Sequence, residues 1–193
     1  MSYVLSIGLI VGVIAFFSLR RYSQKEVIKL ICLAGARRNG EVRDVPGQAF
    51  PVLHFLHRGA DVTVMTHPGS RFKKGTVEVH MKCLTYRNCT MSFNKPSSLG
   101  IKFVSPLKRV MLGSPFFDQK VILKTDEEMI PKQIIIPSIQ NMILEFDAFP
   151  LGVTLKKESF VTTIHKIPMA DRDYDRLIEI TLMLYERLRG LND

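Results

Sequence analysis

Five histidines and three cysteines are the residues best suited to metal binding or nucleophilic chemistry in this chain of 193 residues. His54 and His57 form an H-x-x-H pair. Metal-binding helices prefer histidines four residues apart with a glutamate between them, and residues three apart on a strand point to opposite faces. We therefore predict that this pair holds no metal ion.

The cysteines are Cys32, Cys83 and Cys89. An odd number without a pairing pattern does not indicate a disulfide framework, and free thiols are typical of a reducing compartment. Cys83 lies on the apolar side of an alternating segment, where a cysteine acts as a small hydrophobe. Cys89 follows Arg87 and Asn88 and is the better nucleophile candidate, because reactive thiols need an electropositive setting.

Known catalytic loops are missing from the sequence. It contains no G-x-x-x-x-G-K-[ST], no G-x-G-x-x-G and no G-x-S-x-G motif. The acidic clusters at 126–128 and 171–175 lie where helix starts are expected, so capping accounts for them. We therefore predict a non-enzymatic protein with no catalytic residues and no cofactor.

The longest apolar stretch is at the start of the chain, where no charged residue occurs from Tyr3 to Leu19. A helix over these residues would be roughly 28 Å long, close to the hydrocarbon core of a bilayer at about 30 Å. No basic residue precedes the stretch and no A-x-A site follows it, which favours an uncleaved signal anchor over a cleaved signal or a core helix. The sequence predicts a transmembrane helix over residues 1–21.

The flanks of this segment predict topology and contacts. Positive charge stays on the cytoplasmic side, so we expect the N-terminus outside the inner membrane and the domain in the cytoplasm. Gly8 and Gly12 form a G-x-x-x-G step that predicts packing against partner helices, although glycine is also common in membrane helices. The basic residues that we expect to contact anionic lipid headgroups are Arg20, Arg21, Lys25, Lys29, Arg37 and Arg38.

Three further segments follow. Residues 22–39 have an apolar stripe at helical spacing and predict an amphipathic, basic stalk helix, whose stripe lies either on lipid or on the domain. Residues 40–50 have no periodicity and predict a linker. Residues 51–193 predict a cytoplasmic α+β domain.

Within this domain, short alternating segments indicate strands with one exposed face. The clearest runs from Thr76 to Cys83, with Val77 and Val79 on one side and Glu78 on the other. A long apolar stripe between 171 and 190 predicts a closing helix that packs across the sheet. The predicted fold class is α+β: a single N-terminal transmembrane helix with an amphipathic stalk, then a mainly antiparallel β domain with a long C-terminal helix.

Two stretches resemble known families. Residues 113–118 and 120–125 resemble the F-D-x-x-F/V strand entry of uncharacterised bacterial proteins with one N-terminal membrane helix and a small cytoplasmic α+β domain. That likeness implies the fold and no activity. Residues 95–101 resemble part of the [DN]-x-S-x-x-G loop of PilZ domains, which bind cyclic diguanylate, but Asn94 is displaced by one residue and the R-x-x-x-R motif is missing.

The formal net charge of +9 suits a partner that is an anionic membrane surface, an acidic protein or a nucleic acid. No recognised nucleic-acid signature occurs, so we predict no nucleic-acid partner. The leading hypothesis is a non-enzymatic, single-pass accessory subunit of a larger membrane protein complex, such as a bacterial energy-transducing complex, with other membrane-protein subunits as partners. The alternative is a membrane-tethered sensor that binds an anionic lipid headgroup or a nucleotide. A third hypothesis is an unrecognised enzyme that uses Cys89 or the histidine pair.

Overall fold

Alternating strands build the central element of the fold. The structure, a computed structural model, describes residues 24–70, 74–83, 88–96 and 106–191. Within these ranges, nine strands form one antiparallel sheet in the order β1-β2-β3-β4-β9-β8-β5-β7-β6. The strands are β1 (Glu41–Arg43), β2 (Val52–His57), β3 (Ala60–His67), β4 (Thr76–Lys82), β5 (Cys89–Asn94), β6 (Lys108–Val110), β7 (Ile122–Thr125), β8 (Leu151–Lys156) and β9 (Ser159–Ile164).

The helices of the described ranges are α1 (24–37), α2 (Pro115–Lys120), α3 (Met129–Ile134), α4 (Pro137–Leu144) and α5 (Asp171–Arg189). Proline occupies the first position of α2 and of α4, where its missing N–H leaves no intrahelical bond unmade. The longest, α5, carries acids in its first turn and arginines in its last, which complements the helix dipole.

The hydrophobic core lies between one face of the sheet and the helices. Side chains from all five helices and from that sheet face form one contiguous cluster of buried residues. On β4, for example, Val77, Val79 and Met81 are almost completely buried. Leu177 and Ile178 of α5 are fully buried against the same layer. Each strand of the central sheet therefore has one packed face and one less covered face.

The fold class predicted from the sequence is wrong. The described chain is a nine-stranded antiparallel sheet with helices on one face, and none of its helices is long and apolar enough to cross a membrane. The same finding contradicts the prediction of a single-pass membrane protein. The predicted transmembrane helix, residues 1–21, lies outside the described residues, and the cytoplasmic-membrane location stays a prediction.

The segment predicted as a stalk packs on the domain. The inward face of α1 is buried in the common core, at the helical spacing that the sequence shows. Its buried residues are Val27, Leu30, Ile31 and Ala34. In the described part of α1 this buried face lies on protein, whereas Ile28, Cys32 and Leu33 on the same helix are exposed.

The range predicted as a linker, 40–50, contains β1 and a buried residue. Edge strand β1 pairs with β2, with Val42 opposite Leu53. Gly40 permits this junction, because a Cβ atom there would lie 2.7 Å from Leu53 Cδ1. Phe50 at the end of the range is buried in the core. A three-residue strand is too short to show periodicity, which is why the sequence pattern missed it.

Candidate functional site

The second face of the sheet is the best candidate for a functional surface. Alternate residues of the strands point away from the core, and they are half-buried where their neighbours are fully buried. We call this surface the uncovered face. Its central residues are Thr63 and Met65 on β3, Glu78 and His80 on β4, Val161 and Thr163 on β9, Gly152 and Thr154 on β8, and Thr90 and Ser92 on β5.

Strand register arranges these residues in rows across the sheet. One row passes from Glu78 through Thr163 and Gly152 to Ser92. The neighbouring row passes from His80 through Val161, Thr154 and Thr90 in the same way. Most side chains in the middle of both rows are small. The middle of the uncovered face is therefore flat and presents hydroxyl groups and a glycine.

Gly152 is notable because nothing in the described part of the chain requires a glycine there. A Cβ atom at this position would meet only the carbonyl oxygen of Thr163, at 3.7 Å, which is an ordinary van der Waals distance. Glycine inside a strand costs roughly 0.5–1 kcal/mol relative to alanine. Strand glycines often mark a place where a ligand or another backbone approaches closely. The space above Gly152 is therefore open for such an approach.

The polar groups at the β3–β4 side of the uncovered face are paired with one another. The carboxylate of Glu78 accepts a hydrogen bond from His80 Nε2 at 2.8 Å, and His67 Nε2 lies 4.0 Å from the same carboxylate. His54 Nδ1 and Thr63 Oγ1 share a hydrogen bond of 3.1 Å. In the described part of the chain, no three His, Cys, Asp or Glu side chains are grouped to hold a metal ion.

The structure separates the two histidines of the H-x-x-H pair. His54 lies on the uncovered face beside Thr63, whereas His57 turns toward the helices, and its Nε2 lies 2.7 Å from the carboxylate of Glu186 on α5. This follows from strand geometry, in which residues three apart face opposite ways. The pair therefore does not form a common site.

Burial raises the pKa of the thiols of the two core cysteines. Cys89 is 1 % exposed, and this burial raises the pKa of its thiol to about 11 despite a 3.5 Å contact with Thr125 Oγ1. Burial also raises the pKa of Cys83. Because the thiolate is the reactive form, neither side chain is set up as a nucleophile near neutral pH. Cys32 is exposed on α1.

The residues predicted to contact the membrane surface fall into three groups. Gly8, Gly12, Arg20 and Arg21 lie outside the described residues. Lys25 and Lys29 are exposed on α1. Arg37 and Arg38 instead form ion pairs with α5: Arg37 contacts Asp171 and Asp175, and Arg38 contacts Asp175. These two arginines join helices far apart in the sequence, which a local pattern of charges does not reveal.

Sequence reasoning also missed a basic end of the uncovered face. Lys82 on β4 and Lys156 on β8 each pair in register with Ser159 on β9, so the serine hydroxyl lies between two exposed lysines. Strands in a sheet are about 4.8 Å apart, so both ammonium groups can reach one anion. Alternation along each strand puts these residues on one face, but only the pairing brings them together.

Across the residues that the structure describes, the chain is an antiparallel sheet with helices on one face and none on the other. No model of a known protein family matches the chain, and no curated protein does. A similar solved structure is the crystal structure of the mycobacterial trehalose monomycolate transport factor A, TtfA. The TM-score is 0.55 at 8% sequence identity, over 84% of this chain and 94% of that one.

At this identity the likeness shows a shared fold and nothing about activity. The neighbour is a transport-associated factor, and that statement concerns the neighbour alone. The resemblance to uncharacterised bacterial proteins with one membrane helix stays a prediction.

Proposed function

We propose that the protein is a non-enzymatic accessory subunit that binds a partner protein through the uncovered face. The observation that carries this proposal is Gly152, which lies in the middle of a flat face of small side chains with open space above it. A flat surface without long side chains permits close contact over a wide area with little loss of side-chain entropy.

The state of the chemically suitable residues supports binding over catalysis. The core thiols are protonated at neutral pH because burial raises the pKa of Cys83 and Cys89. His57 and His80 are held by carboxylates, and His54 by a threonine hydroxyl. Of these groups, the protonated core thiols are the evidence against nucleophilic catalysis, because the thiolate is the reactive form.

Charge supports an acidic surface on the partner. Lys82 and Lys156 are both exposed at one end of the uncovered face, and the chain as a whole carries a net charge of +9. Complementary charges speed association and set orientation more than they raise affinity. TtfA is by its name a transport factor, so we take a transport assembly as the first candidate for the larger complex.

A graded series at Gly152 tests the proposal. Gly152→Ala fits the chain itself, and Gly152→Arg places a long charged side chain over the face. Ser138→Arg, on the exposed side of α4, introduces the same side chain on the helical layer and serves as the control. Each variant is expressed in the native cell, extracted gently and sized with its bound partners, and its thermal unfolding is measured in parallel.

We expect wild type and Ser138→Arg to migrate in the same large complex, and Gly152→Arg to migrate alone while its unfolding temperature stays within a few degrees of wild type. The fraction of Gly152→Ala that stays in the complex reports how closely the partner approaches the backbone at this position. A Gly152→Arg variant that stays in the complex with wild-type stoichiometry would rule out this face as the docking surface.

The second candidate function is a sensor for an anionic group, and the lysines on either side of Ser159 favour it. Ligand that binds only the folded state raises the unfolding temperature. We expect a nucleotide or a headgroup phosphate to stabilise wild type and to leave Lys82→Gln/Lys156→Gln unchanged. Equal stabilisation of both proteins contradicts a site at these lysines.

A further inference from the structure

A cavity of about 610 Å³ opens at the corner of the sheet where β6, β7 and α2 meet. Its walls are largely aliphatic and come from Pro96, Met111, Pro115 and Ile122. The volume lies within the range of about 300–1,000 Å³ that is typical of small-molecule sites, and exceeds what one protein side chain fills. The cavity lies at the far end of the cross-strand row that contains Gly152, because Ser92 on β5 pairs with Lys124 on β7, and Lys124 pairs with Arg109 in the cavity wall.

Arg109 supplies the cavity with a fixed positive charge. Its Nη2 donates a hydrogen bond of 3.1 Å to the backbone carbonyl of Asp118, which holds the guanidinium beside the aliphatic walls. The carboxylate of the buried Asp118 is engaged elsewhere, because it accepts hydrogen bonds from the backbone N–H groups of Leu112 and Gly113 at 3.0 and 3.1 Å. Within the described residues Arg109 makes this one side-chain hydrogen bond, so its other N–H groups can donate to an anion.

Large apolar side chains are exposed around this cavity. Met111 in its wall is 53% exposed, and Phe116 on α2, next to the wall residue Pro115, is 59% exposed. The ammonium group of Lys120 lies 4.1 Å from the centroid of the Phe116 ring. Methionine adapts its shape to apolar ligands of varied form, and clustered exposed apolar groups mark binding surfaces.

We propose that this cavity binds the alkyl chain of an anionic amphiphile, with the anionic head on Arg109. The aliphatic walls match an alkyl chain, and a guanidinium matches a carboxylate or phosphate because it can donate two parallel hydrogen bonds. The same chemistry is present in a free fatty acid and in a phospholipid. This inference goes beyond the proposed partner binding and does not depend on it.

Calorimetric titration of the full chain with decanoate, in detergent-free buffer, tests the proposal. Ile122→Trp fills the cavity, Arg109→Gln removes the charge but keeps a polar side chain, and decanol tests the head group. Arg187→Gln removes an exposed charge at the C-terminal end of α5 and is the control. That end contacts the β2–β3 hairpin through Glu186, at the opposite side of the sheet from the cavity.

We expect one decanoate to bind per wild-type chain, and the control Arg187→Gln to bind it with the same affinity. Arg109→Gln should bind decanoate at least tenfold more weakly. Ile122→Trp should show no measurable binding while its unfolding temperature stays unchanged. A tenfold loss corresponds to about 1.4 kcal/mol, just below the range of one hydrogen bond to a charged group, so the loss should be at least this large. Equal affinity for decanol and decanoate, or wild-type binding by both cavity variants, overturns the proposal.

Flotation with phosphatidylglycerol vesicles separates the two sources of the amphiphile. Binding to vesicles that is lost in Arg109→Gln and Ile122→Trp supports a phospholipid, and binding of decanoate without vesicles supports a free fatty acid. Wild type that binds neither overturns the proposal. If Ile122→Trp then releases the native partner, the cavity holds a protein segment instead. Gly152→Arg, three strands away from Arg109, is titrated with decanoate as a further control, so that failure of one proposal can be told from failure of the other.

Discussion

Replacing Ile31 by alanine tests whether α1 belongs to the core of the domain. Ile31 is 0% exposed and lies in the common hydrophobic cluster, whereas Ile28 on the same helix is 37% exposed. Truncating a buried isoleucine to alanine costs about 2–5 kcal/mol through lost burial and a residual cavity. We expect a loss of about 3 kcal/mol for Ile31→Ala. At this chain length that is a decrease of about 6–12 °C in unfolding temperature.

Ile28→Ala is the matched control, because it removes the same atoms from the same helix. We expect a change within about 1 kcal/mol, since less surface returns to water and alanine favours the helix. Urea unfolding followed by circular dichroism gives both values, with the slope of the transition checked for each variant. Equal changes for the two variants, or no change for Ile31→Ala, would refute the packing of α1 on the sheet.

Two further predictions concern buried titratable groups. Burial raises the pKa of Cys89 to about 11, so we expect iodoacetamide at pH 8 to label the exposed Cys32 and to leave Cys89 unmodified until the protein unfolds; labelling of Cys89 at the same rate contradicts its burial. Burial also raises the pKa of Tyr174 to about 12, against the lowering effect of its hydrogen bond with Thr66. Between about pH 10 and about pH 12 the phenol ionises in the unfolded chain but stays neutral in the folded one. The free energy of unfolding should therefore fall as the pH rises through this range. Urea unfolding of Tyr174→Phe should show no such fall in the free energy of unfolding. If the variant keeps the same pH dependence, another group causes the fall.

Local patterns predicted the elements whose evidence lies within one segment. The alternation from Thr76 to Cys83 corresponds to β4, Thr76–Lys82, with its apolar side in the core. The stripe that begins at Asp171 corresponds to α5, which ends at Arg189 just before Gly190. In both elements the residues that share one face recur along the sequence, at a period of two in the strand and 3.6 in the helix. A sequence pattern contains this information.

One local expectation differs from the structure because a stronger helix-start signal was present. The F-D-x-x-F/V resemblance implies a strand entry over residues 113–118 and 120–125, but α2 occupies Pro115–Lys120 and β7 begins at Ile122. Pro115 is a helix-start signal, and Ser114 precedes it in an extended conformation. The apolar periodicity of α1 was read correctly as a helix, but periodicity does not distinguish lipid from protein as the covering surface.

The uncovered face could not be predicted because its neighbours come from distant segments. β4 pairs with β9, and β8 pairs with β5, so the β8–β9 hairpin lies between two strands that are consecutive in the sequence. Alternation gives the residues that share a face of one strand, but not the strand beside it. Gly152 is unremarkable in the sequence and becomes informative only in the middle of that face.

Position, not net charge, decides what the basic residues of this chain can contact. Arg37 and Arg38 follow the apolar start of the chain and resemble membrane-surface residues, yet both form ion pairs with carboxylates of α5, Arg37 at the exposed surface of the domain. Lys82 and Lys156 are far apart in the sequence and carry no local signal, yet β9 brings them to either side of one serine. Exposed charges are screened by salt more strongly than apolar contacts. Partner binding at the uncovered face should therefore weaken with salt through its lysine end, while the close approach at Gly152 should remain.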